Sequence, residues 1–229
     1  MGCILGDAAL EVMFPKGDKI RARKVVSRSR ARSTGKYPSW KMGRMMQWES
    51  LNELNAFRLL DANPAARAYH EQPLAVRFAL NGETHIHYPD VLVQWIHGAE
   101  IWEIKPESEA AHAFIVERTR LLESSLPQWG FKYRLITGEE LAKEPRRSNA
   151  LTMLRHGRRP VSEIEREHIR QVLLRAPAIH WSSTNNGELG PDGRAVVCRL
   201  VLEGFLSFDI NQALTAMTSF HAGNDQVAI

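Results

Sequence analysis

Two acidic residues and one lysine lie in a stretch that otherwise predicts a buried β-hairpin. Residues 87–106 have the sequence HYPDVLVQWIHGAEIWEIKP, in which Asp90, Glu103 and Lys105 interrupt an apolar pattern. Side chains alternate between the two faces of a strand, so Glu103 and Lys105 share one face. The pattern therefore predicts one core face and one face that gathers two carboxylates and an ammonium group.

The register of this hairpin follows from its turn. If His97 and Gly98 form a two-residue turn, Asp90 faces Lys105 and Glu103 is diagonal to Asp90. The opposite face then pairs apolar residues, Val91 with Ile104 and Val93 with Trp102.

Such a group of charges is suited to metal-assisted phosphodiester hydrolysis. Neighbouring carboxylates repel each other and raise a pKa unless a cation lies between them. Mg²⁺ binds through one or two carboxylates and keeps water ligands, and a bound ion lowers the pKa of its water. The lysine would orient the attacking water or offset phosphate charge. An exposed Glu–Lys pair of little energetic value is an equally good explanation of the hairpin taken alone.

A helix before the hairpin supplies a third carboxylate. Residues 47–60 (QWESLNELNAFRLL) predict a largely buried helix, and Glu53 falls in a partly apolar surround where it needs a partner. We expect Glu53 to join Asp90 and Glu103 as metal ligands, with Glu49, one turn earlier, as its rival.

The elements around these residues predict a mixed α/β (α+β) core. The order is helix, three antiparallel strands, helix, strand, or αβββαβ. After the helix at 47–60 we expect strands at 74–80, 84–95 and 100–105, a helix at 107–126 and a strand at 131–137.

A basic arm precedes the core. The segment from Lys16 to Arg44 is rich in positive charge, with Asp18 as its one acidic residue, and Tyr37 and Trp40 near its end. We expect a flexible arm that binds the DNA backbone through released counterions, with a solvated tail as the alternative. The candidate DNA-binding residues are Arg21, Arg23, Lys24, Arg28, Arg30, Arg32, Lys36, Lys41 and Arg44.

The C-terminal part predicts a small separate module. Residues 161–175 predict a helix, and DGRAVVCRLVLEGFLSFDI predicts another helix ended by Gly204 and followed by a short strand. This is typical of a winged-helix-like module. The expected domains are an arm at 1–46, a core at 47–142, a linker at 143–160 and the module at 161–229.

The composition excludes several classes of protein. The 229 residues carry a net charge of +4 and two cysteines, Cys3 and Cys198, which is neither a disulfide framework nor a thiolate zinc site. No run of about 18 apolar residues is present, so we expect no membrane span. The two distant cysteines fit a reducing setting, so we expect a cytoplasmic protein.

The motif Pro89-Asp90 to Glu103-Ile104-Lys105 resembles that of the PD-(D/E)xK nucleases, whose restriction-endonuclease-like fold has the same element order. More closely, ESLNELNAFRLLDANPAARAYHEQP, followed by HYPDVLVQW and WEIKP, resembles the N-terminal nuclease domain of TnsA, the endonuclease subunit of heteromeric cut-and-paste transposases. The resemblance covers about residues 47–142.

This resemblance implies an activity and partners. TnsA-like subunits cut the 5′ ends of a transposon, a separate DDE transposase cuts and joins the 3′ ends, and the C-terminal domain docks an AAA+ ATPase regulator. It implies Mg²⁺ or Mn²⁺, two ions per site, with Glu53, Asp90 and Glu103 as ligands and Lys105 as the catalytic lysine. DNA at the transposon ends would be the substrate, and the resemblance implies a prokaryotic protein associated with the nucleoid.

Alternatives remain at this point. The chain could be a stand-alone restriction or repair nuclease, or a non-catalytic DNA-binding scaffold. Gln72 is a candidate for a hydrogen bond near the site or a structural role at a strand start. The alternation predicts that His85 and His87 point away from Asp90, as structural or interface groups. His112 and Glu109 are candidates to line a DNA groove.

Overall fold

The computed structural model describes residues 10–17, 20–23 and 34–223. These residues divide into two compact units: Met1–Phe57 with Ala66–Leu141, and Arg58–Ala65 with Ala142–Ile229, each over its described part. The protein is a mixed α+β protein, consistent with a restriction-endonuclease-like fold. Across the described residues, no helix combines the length and apolar character needed to cross a membrane.

The first unit contains the predicted core, in the predicted order but with additional strands. Its strands are β1 (Glu11–Met13), β2 (Gly35–Ser39), β3 (Arg44–Trp48), β4 (Ala66–Glu71), β5 (Ala75–Leu80), β6 (Glu83–His87), β7 (Val91–Trp95), β8 (Gly98–Lys105) and β9 (Phe131–Thr137). Its helices are α1 (Leu51–Ala62), whose last turn falls in the second unit, α2 (Glu107–Ala110), α3 (Ala113–Ser125) and α4 (Gly138–Leu141).

The central sheet has four strands in the order β4-β7-β8-β9. β4, β7 and β8 pair antiparallel, whereas β8 and β9 are parallel and are connected through α3. A second sheet has the order β1-β5-β6. A buried apolar cluster packs against both sheets and α3; it includes Leu74, Phe78, Ile101 and Leu122.

The hairpin register differs from the predicted one by two residues. Val91 pairs with Trp102, not Ile104, and Trp95 pairs with Gly98, so the turn lies at residues 96–97. Gly98 adopts a φ of 124°, a value that favours glycine, at the position that flanks the turn. Because a shift of two residues preserves the face of every side chain, the predicted division into an apolar and a charged face is kept.

Three other predicted elements differ from the structure. The arm is not wholly irregular, since β2 and β3 form a hairpin whose Tyr37 and Met46 are buried. The predicted second strand is two strands in different sheets, divided at Tyr88–Pro89. The predicted helix at 107–126 is broken at His112, which has an extended conformation.

The first helix begins at Leu51 rather than Gln47. Residues 44–48 belong to β3, and Ser50 accepts a hydrogen bond from the Glu53 main-chain N–H at 3.1 Å, as an N-cap residue does. Ser50 and Glu53 are three residues apart at the helix start, which is the spacing of a capping motif that the apolar periodicity did not reveal.

The second unit contains three helices and a small sheet. They are α5 (Arg146–His156), α6 (Glu163–Arg175) and α7 (Gly193–Leu202), with β10 (Ile179–His180), β11 (Leu206–Ser207) and β12 (Ser219–Ala222) in the order β10-β12-β11. α5 falls in the predicted linker at 143–160, and its Met153 and Leu154 are buried, so most of that segment is not a linker. The winged-helix-like arrangement remains a prediction.

Candidate active site

One pocket of the first unit brings the predicted catalytic residues together. Its volume is about 570 Å³, and Glu53, Asp90, Glu103 and Lys105 all line it. Glu53 comes from the start of α1, Asp90 from the residue before β7, and the other two from the end of β8. The elements expected to position these side chains therefore bring all four to one pocket.

Asp90 lies deep in this pocket and is held by main-chain hydrogen bonds. Its N–H donates to the Trp102 carbonyl at 3.1 Å, and its Oδ2 accepts from the Ile104 N–H at 2.7 Å. Burial raises the pKa of Asp90 well above its ordinary value, and the charges of Glu103 and Glu53 raise it further. The three carboxylates are thus close enough to affect each other electrostatically.

Glu103 is 2% exposed and is surrounded by basic groups. Its Oε1 lies 2.9 Å from Arg118 Nη2 and 3.2 Å from Lys105 Nζ. Burial alone would raise the pKa of Glu103, but neighbouring His87, Lys105 and Arg118 outweigh burial and lower the pKa to about 2. Glu103 is therefore ionised.

His87 is the residue whose direction was predicted wrongly. Its Nε2 lies 3.0 Å from Glu103 Oε2 in the same pocket, although the two atoms are not aligned as a regular hydrogen bond. Burial lowers the pKa of His87, so the imidazole is neutral at pH 7. The strand alternation failed here because Tyr88 and Pro89 are not part of a strand. His85 instead stacks on Phe78, with ring centroids 5.5 Å apart, in agreement with a structural role.

Lys105 is the ammonium group of the pocket. Burial alone would lower its pKa, but the charges of Glu103 and Asp90 outweigh burial and raise the pKa above its ordinary value. Lys105 is therefore protonated in this arrangement, and it can donate hydrogen bonds and offset negative charge.

Glu53 is 7% exposed and caps its own helix. Its Oε2 accepts from the Glu49 N–H at 2.9 Å, and its Oε1 accepts from the Ser50 hydroxyl at 3.1 Å. Burial raises the pKa of Glu53, and these hydrogen bonds oppose the rise. Glu49 also lines the pocket, but its carboxylate contacts Arg23 at 2.5 Å.

The residues of the pocket fit a hard divalent cation by type. The three predicted ligand carboxylates line the pocket together with Glu49 and Glu109, and Glu103 Oε2 is a buried oxygen without an aligned hydrogen-bond partner among the described residues. No group of three or more His, Cys, Asp or Glu side chains in the described part of the chain is already arranged to hold a metal ion. The Glu53 carboxylate, for example, is hydrogen-bonded to the start of its own helix.

Arg118 was not found by the sequence analysis. It lies on α3, is 7% exposed and contacts Glu103, and its Nε has no hydrogen-bond partner among the described residues. Tyr133 on β9 is also buried close to Glu103 and Arg118, and burial and the Glu103 charge raise the pKa of its hydroxyl well above the ordinary value. A lone arginine inside an amphipathic helix is ordinarily a surface residue, so no sequence pattern would have identified its role.

Other predicted residues fall in different places. Glu109 lines the pocket, whereas His112 is an exposed residue at the start of α3. Gln72 has a left-handed φ of 49°, and its N–H donates to the Asp90 carbonyl at 2.9 Å. Arg21, Arg23, Lys36, Lys41 and Arg44 of the arm are described; Lys24, Arg28, Arg30 and Arg32 lie outside the described residues.

Comparison with known proteins supports the resemblance for this unit. Residues 63–138 match the family model of the TnsA-like endonuclease N terminal domain. No curated protein matches the chain. The matched segment contains Asp90, Glu103 and Lys105 but begins after Glu53. The family match therefore does not bear on Glu53, and its place in the site follows from the pocket geometry. Residues 63–138, which carry the central sheet and three of the four predicted catalytic residues, are therefore similar to the N-terminal domain of TnsA-like endonucleases.

Proposed function

We propose that this protein is a metal-dependent DNA endonuclease subunit that cleaves the 5′ ends of a transposon. It would act in the cytoplasm on nucleoid DNA, beside a DDE transposase and with an AAA+ regulator that contacts the second unit. The observation that carries the proposal is the convergence of Glu53, Asp90, Glu103 and Lys105 on one pocket of a TnsA-like domain.

The residues of the chain would divide the work as follows. Glu53, Asp90 and Glu103 would hold Mg²⁺ or Mn²⁺, two ions per site. A bound ion supplies an activated water and polarises the phosphoryl oxygen. Lys105, protonated by its acidic neighbours, would donate a hydrogen bond to the phosphate or the attacking water. Arg118 and His87 would hold Glu103 in position.

The test is strand-specific cleavage of an end-containing duplex, with a candidate DDE transposase and Mg²⁺ present. Asp90→Ala and Lys105→Ala should each abolish 5′ cleavage while circular dichroism shows a folded protein. Cleavage retained by either variant would reject the assignment. Cleavage by the purified chain without a transposase would favour a stand-alone nuclease.

One observation favours a second candidate, a non-catalytic DNA-binding scaffold. Glu103 is already in contact with three basic side chains, and Glu53 already caps its helix, so both carboxylates are engaged without a metal ion. Calorimetric titration of Mn²⁺ separates the two candidates. The nuclease predicts binding by the wild type that is lost in Glu103→Ala, whereas the scaffold predicts equal, weak titrations.

A further inference from the structure

The described cations of the basic arm differ in what they contact. Arg21 Nε lies 2.7 Å from Glu71 Oε1, and Arg44 donates to both oxygens of Glu71 at 2.9 and 2.6 Å. Glu71 is 1% exposed, so these two arginines neutralise a buried carboxylate. Their charge is used inside the protein, which makes them anchors of the arm rather than DNA-binding groups.

Arg23 has a different environment. Its Nε donates to Gln72 Oε1 at 2.9 Å, its Nη2 contacts Glu49 Oε2 at 2.5 Å, and its guanidinium lies over the Tyr88 ring, 5.6 Å from the centroid. These contacts fix the guanidinium at the pocket, which it lines. Its side chain is nevertheless 42% exposed, so it remains accessible to a ligand.

The main chain beside Arg23 connects this guanidinium to Asp90. The Ala22 N–H donates to the Gln72 carbonyl at 2.8 Å, and the Gln72 N–H donates to the Asp90 carbonyl at 2.9 Å. Gln72 adopts a φ of 49°, a conformation that a non-glycine residue keeps only when its surroundings hold it. The position of Arg23 is therefore set relative to Asp90 through a single intervening residue.

The charges of the pocket show why an accessible cation is needed. Carboxylates outnumber cations among its described lining residues, and those that are not bound to a metal ion would repel an entering phosphodiester. Of the lining cations, Arg118 is buried against Glu103 and Lys105 also contacts Glu103. Arg23 has the most exposed side chain of the three, at 42% against 28% for Lys105 and 9% for Arg118.

We propose that Arg23 binds a phosphate of the DNA strand that enters the pocket, and that Arg21 and Arg44 hold the segment that carries it. A guanidinium presents several donors in a plane that matches a phosphate group, and binding releases it from Glu49. The identity of the ligand as DNA rests on the proposed function. The rival explanation is that Arg23 does no more than neutralise Glu49.

The experiment measures binding of an end-containing duplex by fluorescence anisotropy over a range of salt concentrations, with Ca²⁺ as the divalent ion. Loss of one phosphate contact lowers the slope of log Kd against log salt by about 1, which we expect for Arg23→Ala. Arg23→Lys should keep this slope and bind more weakly, because it keeps the charge and loses the planar donors. Glu49→Gln should bind as tightly as the wild type or more tightly, since it frees the guanidinium.

Substrates with one neutral methylphosphonate locate the contact. A methylphosphonate at one position of the duplex should weaken its binding by the wild type and should not weaken its binding by Arg23→Ala any further. Lys36→Ala is the matched control, because Lys36 is an exposed arm cation on β2; this variant should respond to that position as the wild type does. Thermal melting of each variant checks the fold.

Two results would overturn the inference: an unchanged salt slope in Arg23→Ala, or a loss of binding in Glu49→Gln equal to that in Arg23→Ala. Binding does not require cleavage, so the two proposals fail separately. Wild-type binding by Arg23→Ala rejects this inference and leaves the nuclease function intact. Cleavage by Asp90→Ala rejects the nuclease assignment whatever Arg23 does.

Discussion

Asp90 directly precedes β7, and continuation of the Val91–Trp102 register places it opposite Glu103 of β8. The hydrogen bonds of Asp90 to the Trp102 carbonyl and from the Ile104 N–H flank Glu103 on both sides. Like charges directly opposite each other destabilise a sheet, and the Glu103 charge contributes to the raised pKa of Asp90. A fold keeps such a pair at the expense of stability, which supports a functional role for both residues.

The two helix carboxylates can be separated by variants that keep the helix cap. In Glu53→Gln the amide oxygen can still accept from the Glu49 N–H, so we expect a melting temperature near that of the wild type. If Glu53 is a ligand, Mn²⁺ affinity measured by calorimetry should fall by at least about tenfold, since even changes to residues that only hydrogen-bond to a metal ligand have effects of that size.

Two further variants complete this comparison. Glu53→Ala also removes the hydrogen bonds that the carboxylate accepts from the Glu49 N–H and the Ser50 hydroxyl, and should lower the free energy of unfolding by about 1 kcal/mol. Glu49→Gln should leave Mn²⁺ affinity nearly unchanged. Loss of Mn²⁺ binding in Glu49→Gln, with normal binding in Glu53→Gln, would show that Glu49 is the ligand.

Arg118 should be a major determinant of stability in the first unit. Arg118→Met removes one partner of a buried ion pair, and we expect a loss of about 3 kcal/mol in the free energy of unfolding measured by urea denaturation, the lower end for such a change. Lys105 and His87 still contact Glu103, which is why the lower end applies.

Arg77→Ala is the matched control for Arg118→Met. It removes an exposed ion pair with Glu11, whose side chains are about half accessible, and should change stability by less than about 1 kcal/mol. Equal effects of the two variants would contradict a buried, structural role for Arg118.

The anchoring of the arm by Glu71 should depend on pH. Burial alone would raise the pKa of Glu71, but the hydrogen bonds from Arg44 and Arg21 outweigh it and lower the pKa below 4.5. Because the folded-state pKa is lowered, this contribution to stability is present above the unfolded pKa and is lost as the pH falls through the folded value.

Unfolding measured between pH 7 and pH 3 tests this dependence against Glu71→Gln. The advantage of the wild type over Glu71→Gln should be constant down to about pH 5 and should shrink below it. Protease cleavage in the arm should rise over the same interval in the wild type. An advantage that stays constant to pH 3 would show that the Glu71 charge does not hold the arm.

Packing in the second unit depends on the absence of a side chain at Gly157. A Cβ atom there would lie 2.8 Å from the Arg199 nitrogen and 2.9 Å from the Cys198 carbonyl carbon, both main-chain atoms of α7. Gly157→Ala should therefore lower the free energy of unfolding by about 1–3 kcal/mol, as overpacking does.

Arg155→Ala, an exposed change near the end of α5, should be within about 0.5 kcal/mol of the wild type. A neutral Gly157→Ala would mean that α5 and α7 move apart without loss of stability. Chemical denaturation of the full chain measures both variants.

The charged face of the hairpin could be predicted because it depends only on alternation. Glu103 and Lys105 lie on one face in any register, and a shift of two residues left this face intact while it changed every paired residue. The turn position could not be predicted, because both His97-Gly98 and Ile96-His97 are compatible with the apolar pattern and the left-handed geometry of Gly98 decided between them.

Other features depended on contacts between distant parts of the chain. β4 has the sequence ARAYHE, which has no strong strand pattern, and it forms because β7 offers it an edge. The arginines of the arm appear equivalent in the sequence, and only the folded chain separates those that contact Glu71 from Arg23. The direction of the His87 side chain could not be predicted, because strand alternation stops at Tyr88 and Pro89.

The hairpin turn at residues 96–97 should tolerate an insertion, whereas the connection at Tyr88–Pro89 should not. One added residue at 96–97 would enlarge a loop at the far end of β7 and β8 from Asp90 and Lys105. One added residue at 88–89 would change the spacing between His87 and Asp90, which come from different sheets and line the same pocket. A fluorescent label or a short peptide insertion therefore belongs in the turn at residues 96–97, whereas the segment at residues 88–89 must keep its length.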